Sequence, residues 1–163
     1  MNNIKVFSPA SVSNVCCGFD VLGFSIEGIG DDIFIQKSNS KGIKIKRATG
    51  FEIPIDRKKN TACVAAKALL DYLNIDQGFD IEINKNIKPG SGIGSSAASA
   101  VGAVYGINKI LGSPLEKEEL LKFAMQGEFT SSKTAPADNV ASALYGCLLY
   151  TSPSPRDKRQ SRM

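Results

Sequence analysis

One run constrains this chain more than any other: Pro89, Gly90, Ser91, Gly92, Ile93, Gly94, Ser95, Ser96, Ala97, Ala98 and Ser99, placed between a predicted strand and a predicted helix. Glycines at alternate positions let the backbone turn with positive φ and approach a bulky group closely. The first amides of a helix starting at Ser95 have no intrahelical acceptor and point toward whatever sits in that turn. A phosphate chain fits such a cradle. No lysine follows the last glycine, so the run is not a Walker A motif, and a single residue before the third glycine is not the Rossmann spacing. A strand-to-helix loop holding no ligand would also satisfy the glycines alone.

The segments around this loop read as one α+β domain, a mixed or antiparallel sheet backed by helices. Ile4, Val6 and Ser8 alternate with Lys5 and Phe7; Ile33 to Ile35, Ile43 with Ile45, and Phe79, Ile81 and Ile83 repeat the period of two, which predicts strands of a sheet with one solvated face. Ala65, Ala68, Leu69 and Tyr72 share one helical stripe, so a helix is predicted over 60–74 with Asn60 as its cap. A second, central helix is predicted from Ser95 to Leu111, its small residues allowing close packing on several sides. Ser113, Pro114 and Glu116 have the spacing of a helix start, predicting a third helix from there to about Gly127.

Composition narrows the chemistry. The chain has 163 residues, enough for one core, and no histidine at all. A Ser-His-Asp or Cys-His hydrolase, an HExxH zinc enzyme and a C2H2 finger each need imidazole, so none can be built from this chain alone. The formal charge is +4, but four basic residues against one acidic in 148–163 supply +3 of it. The remainder makes no electrostatic case for nucleic acid. Cys16 and Cys17 are adjacent and Cys63 and Cys147 isolated, with no zinc spacing; reduced thiols in a cytoplasm are the simplest reading. No stretch approaches the roughly 18 apolar residues of a membrane span, so neither nucleic acid nor membrane is expected as a partner. After Gly146, periodicity and apolar content vanish; 148–163 is expected to be a disordered, non-native tail, leaving 1–147 as the domain.

Two further segments carry candidate groups. Ser8-Pro-Ala-Ser-Val-Ser-Asn14-Val-Cys-Cys-Gly-Phe-Asp20 presents Ser11, Ser13, Asn14 and Asp20 on one loop, which suits a small polar ligand and equally a capped surface turn. Glu128 falls on the helical face of Leu121, Ala124 and Met125, so its carboxylate looks inward and needs a partner: magnesium between it and phosphate oxygens, or a lysine. Asp138 and Asn139 follow, and would also serve as the cap of a short helix from Val140.

In this order, the phosphate loop, SPASVSNVCCGFDVLGF and ADNVASALYG resemble the N-terminal half of a GHMP-superfamily small-molecule kinase, over roughly positions 3 to 147. Within the superfamily, the resemblance is nearest to the branch acting on L-homoserine. It implies a domain like the second domain of ribosomal protein S5, and ATP and Mg2+ as cofactors. The loop from Pro89 to Ser99 would wrap the phosphates, with Asn60 near the adenine and Ser96 and Glu128 on the metal. Asn14, Asp20, Asp138 and Asn139 would face L-homoserine, and Asp138 and Asn139 would be the catalytic pair, without a dedicated base. The family usually has histidine where this chain has Pro136, and glycine where it has Cys147. Its members are about twice as long, so a C-terminal domain that grips the amino-acid carboxylate is expected to be missing. Another GHMP kinase, such as one acting on mevalonate, and a nucleotide-binding module without catalysis remain open, as does a homodimer.

Overall fold

The computed structural model describes residues 1–13, 15, 22–132 and 137–150. In chain order these form β1 (Asn3–Val12), β2 (Leu22–Ser38), β3 (Ile43–Gly50), α1 (Thr61–Leu73), β4 (Gly78–Lys85), α2 (Ser95–Ile110), α3 (Lys117–Ser132), α4 (Ala137–Tyr145) and β5 (Leu149–Tyr150). The sheet runs β1-β2-β4-β3. β2 is antiparallel to both β1 and β4, whereas β3 and β4 are parallel and joined by α1. The sheet is therefore mixed, one of the two arrangements expected.

Period-two alternation decides what each face meets. Ile33 pairs with Ile83 and Ile35 with Ile81 across β2 and β4, and all four are buried against the helices. The other face carries Lys5, Asp32, Glu82 and Asn84, with Lys5 and Asp32 bridged at 3.2 Å. That ion pair is solvated and adds little stability.

α2 is the central helix: 13 of its 16 residues are buried, and it packs on α1, α3, α4 and β1. Two glycines set its height above the sheet. A Cβ on Gly102 would come within 2.3 Å of Ile33 Cδ1, and one on Gly106 within 2.5 Å of Ile35 Cδ1. A side chain at either position would have to push these isoleucine tips aside.

The third helix starts later than its sequence suggests. Segment 111–116 is spent closing α2: Gly112 and Ser113 take positive φ, 92° and 59°, and the Ser113 N–H donates to the Asn108 carbonyl at 2.8 Å. The Asn108 side chain then holds Leu115 through both its carboxamide groups. α3 begins at Lys117, where Glu119 accepts the Glu116 N–H at 3.1 Å, and it continues past Gly127 to Ser132. Asp138 and Asn139 lie inside the first turn of α4 rather than capping a helix from Val140. At the start of the stretch expected to lack structure, Leu149 pairs with Gly23 and Tyr150 with Leu22. Residues 151–163 lie outside the described residues.

Candidate active site

β4 ends at Lys85 and α2 begins at Ser95, and the loop between them has three residues in the left-handed region: Gly90, Gly92 and Gly94, at φ 75°, 79° and 66°. Beside Gly90 and Gly92 the space is open, whereas a Cβ on Gly94 would lie 2.1 Å from Ser11 Oγ. Intrahelical bonding starts with the Ala98 N–H donating to the Gly94 carbonyl at 2.9 Å. The amides of Ser95, Ser96 and Ala97 precede that bond and face the helix mouth, giving it partial positive charge. β1 abuts this turn, with the Ser11 N–H donating to the Ile93 carbonyl at 3.2 Å.

The mouth opens into a cleft of about 430 Å³. One wall holds Ile53, Pro54, Lys59 and Asn60; the floor holds Gly94, Ser95, Ser96 and Ser99; Glu128 and Asn139 close the far side. Ser96 Oγ donates to Glu128 Oε1 at 2.8 Å. Burial pushes the Glu128 carboxyl above the usual carboxylate range, with Ser96 and Lys85 opposing and Asp138 reinforcing the shift. Asn139 accepts from Ser11 Oγ at 3.0 Å and donates to Ser13 Oγ at 2.6 Å, so its carboxamide is fixed at the cleft edge.

Two buried charges lie beneath the loop. Lys85 Nζ donates to Asp31 Oδ2, to the Ser95 carbonyl and, at 2.9 Å, to Ser99 Oγ. Burial pulls the Lys85 amine below its usual range, while Asp31 and Glu128 hold it up. Sequence reasoning missed this pair, although the signal was available. Strand alternation through Ile35 and Ile33 continues to Asp31, and through Ile81 and Ile83 to Lys85, placing both on the core face.

The structure brings most, though not all, of the expected residues together. Pro89, Gly90, Gly92, Gly94, Ser95, Ser96, Ser99, Asn60, Glu128 and Asn139 line one cleft. Ala97 and Ala98 turn their side chains into the core, and the Ala98 amide is engaged within the helix. Ser91 and Ile93 belong to the loop without lining the cleft, Ile93 instead packing beside Ala10 and Ile87. Asp138 is fully buried, and one of its oxygens accepts the Asn139 N–H at 2.7 Å. It therefore does not reach the cleft wall. Asn14, Asp20 and Pro136 lie outside the described residues.

Asn60 has a second task. It is buried, accepts the Cys63 N–H at 3.2 Å as the cap of α1, and donates to the Pro54 carbonyl at 2.7 Å. Asn60→Ala is expected to cost about 1–2 kcal/mol of stability through the lost cap and the stranded carbonyl, measured by urea denaturation. Asn60→Asp, which keeps the capping oxygen, should recover part of it.

The raised Glu128 pKa sets two opposite pH trends. The folded chain holds this proton more tightly than the unfolded chain, so Glu128's contribution to stability falls as pH rises from 4.5 through the raised folded value. A cation held by Ser96 and Glu128 would need the carboxylate, so its binding would weaken as pH falls through that window. Calorimetric titration of Mg2+ with ATP across pH 4.5 to 7.5 is the check; binding that strengthens toward acid would contradict it.

A glycine-lined helix mouth, an acid-hydroxyl pair beside it and a fixed carboxamide at the rim thus share one cleft on a mixed α/β domain. The chain belongs to the GHMP kinase family: residues 60–147 match the GHMP kinases N terminal domain. It is similar to homoserine kinases of Chloroherpeton thalassium (40% identity, 93% of this chain, 51% of that protein) and Methanococcus vannielii (38%, 93% and 51%). The crystal structure of homoserine kinase from Cytophaga hutchinsonii superposes with a TM-score of 0.89 at 46% identity, covering 94% of this chain and 49% of that one. A mevalonate kinase of L. major, solved with R-mevalonate, shares the fold at 22% identity and a TM-score of 0.70, over 89% of this chain and 47% of that one. The chain spans about half the length of the curated relatives it matches.

Proposed function

We propose that this chain supplies the ATP-binding half of a kinase that transfers the γ-phosphoryl group of ATP to the side-chain hydroxyl of L-homoserine, forming O-phospho-L-homoserine. The observation that carries this reading is the Ser96–Glu128 hydrogen bond at the glycine-lined mouth of α2. The homoserine kinases among its relatives favour L-homoserine over mevalonate as the acceptor.

ATP phosphates would lie against Gly90, Gly92 and Gly94, with the amides of Ser95, Ser96 and Ala97 directed at them. The adenine has the Ile53, Pro54 and Asn60 wall available. Mg2+ fits the donor set. Among the described residues there is no cluster of three or more His, Cys, Asp or Glu, and a hydroxyl with one carboxylate, completed by phosphate oxygens, is how this ion is usually held with nucleotides. When bound by Ser96 and Glu128, it would neutralise charge on the phosphates.

Asn139, fixed by Ser11 and Ser13, can orient the acceptor hydroxyl in line but cannot take its proton. Asp138, the nearest carboxylate in sequence, is buried behind it. Transfer would therefore run on positioning and charge neutralisation without a side-chain base, with ADP leaving and the hydroxyl proton passing to a phosphoryl oxygen and on to solvent. The compartment consistent with this reading is the cytoplasm; Cys63 is a free, buried thiol, and none of the described helices is long and apolar enough to cross a membrane.

The test joins residues 1–147 to the second half of the Cytophaga hutchinsonii homoserine kinase and follows ADP release with L-homoserine, R-mevalonate or no acceptor. Release dependent on L-homoserine is expected. Release with R-mevalonate alone would overturn the substrate, and failure of the 163-residue chain to bind ATP would overturn the nucleotide site.

A further inference from the structure

We propose that Asp31 and Lys85 are positioning residues that clamp the two ends of the phosphate loop together from beneath. The inference rests on the loop's reading as an ATP site, yet its core is geometric. Asp31 Oδ1 accepts the backbone N–H groups of Asn86 and Ile87, at 2.9 and 3.0 Å, where the chain leaves β4 and enters the loop. Its other oxygen holds Lys85 Nζ, which reaches forward to the Ser95 carbonyl and Ser99 Oγ, where the chain leaves the loop and enters α2. Ser95 Oγ closes the circuit by donating to the Ile87 carbonyl at 2.9 Å. One carboxylate and one ammonium thus fix both anchors of a loop whose middle has glycines with open space beside them.

Burial makes the clamp selective in its partners. Lys85 is 2% exposed and Asp31 0%. An ion pair so enclosed is a poor source of net stability, because desolvating both charges consumes most of their attraction. Two apolar side chains would hold a strand to a helix at least as well. What they would not do is satisfy two strand-exit amides and a helix-start carbonyl at fixed angles, which sets where the amides of Ser95, Ser96 and Ala97 point. Lys85 borders the cleft, whereas Asp31 does not. Any effect it has on a nucleotide must pass through Lys85 and the loop.

The experiment compares the full chain with Asp31→Asn, Lys85→Met and the double variant, measuring ATP and adenosine binding separately by calorimetry and amide hydrogen exchange over 86–97. Asp31→Asn should weaken ATP by about 10- to 100-fold, the range seen when the partner behind a metal ligand is removed, and leave adenosine within about twofold. Exchange should quicken in 86–97 and not in α1. The double variant, which buries no lone charge, should fold and bind ATP no worse than the weaker single variant, as expected of two residues acting as one unit. ATP affinity in the double variant within about twofold of the parent would overturn the proposal, as would independent, additive losses or equal loss of ATP and adenosine. Failure of all three variants to fold would also overturn it, in favour of a purely structural pair. If the parent chain binds no ATP, the proposed function falls, while the exchange pattern still decides the clamp.

Discussion

Gly94→Val is expected to remove measurable ATP binding from this chain. Two costs coincide at that position. The backbone sits at φ 66°, ψ 30°, a conformation that is a genuine outlier for a β-branched residue. The new Cβ would also lie 2.1 Å from Ser11 Oγ and 3.2 Å from Asn139 Oδ1, breaking the bond between them. The loop must then shift away from β1, carrying the start of α2 with it. At least about 100-fold loss of ATP affinity is expected, since strain of about 1–3 kcal/mol adds to the lost alignment of the phosphate-facing amides. Calorimetry on the folded variant is the measurement; affinity within a few-fold of the parent would remove this loop from the site. Gly92→Ala is the informative contrast, because nothing stands within 4 Å of its Cβ and only the φ of 79° opposes the change.

Glu128→Gln should separate metal binding from nucleotide binding. In the parent chain, Mg2+ is expected to strengthen ATP affinity by about tenfold or more, since an ion held by Glu128 and Ser96 would neutralise charge on the phosphates. In the variant, most of that increment should vanish while ATP alone binds much as before, because the amide can still accept from Ser96 Oγ. Thermal melting should move the other way. Burial penalises the charged form of Glu128 in the folded chain, so a neutral isostere is expected to melt no lower than the parent at neutral pH. Retention of the full Mg2+ effect in Glu128→Gln would exclude this residue as the ion's ligand. A Ser96→Ala variant tests the other half of the pair and should show a smaller loss.

Much of this was legible in the residues. The strand alternation at Phe79, Ile81 and Ile83, the cap at Asn60 and the glycine spacing from Gly90 to Gly94 are each local signals with one physical cause, and each found its place. The inward aim of Glu128 followed from helical phase alone. What was not legible depended on tertiary choices. Ser113 and Pro114 carry helix-start chemistry, but the close of α2 claimed Ser113 first, because Asn108 has two groups with which to hold the segment that follows. Asp31 and Lys85 were passed over because two charged residues read as solvated until the register places them opposite one another on the core face. Asp138 reads like Asn139 in the sequence, yet one faces the cleft and its neighbour is sealed, a distinction of one helical step.

The low seat of α2 on the sheet, set by Gly102 and Gly106, has a mechanical consequence. At that height the α2 backbone meets the isoleucine tips of β2 directly, and the same device recurs on the opposite wall, where a Cβ on Gly127 would come within 2.6 Å of the Thr61 carbonyl oxygen and 2.8 Å of Ala65 Cβ. Both walls of the cleft thus rest on helices seated by glycine, and a larger residue at Gly127 must displace the helix that carries Glu128.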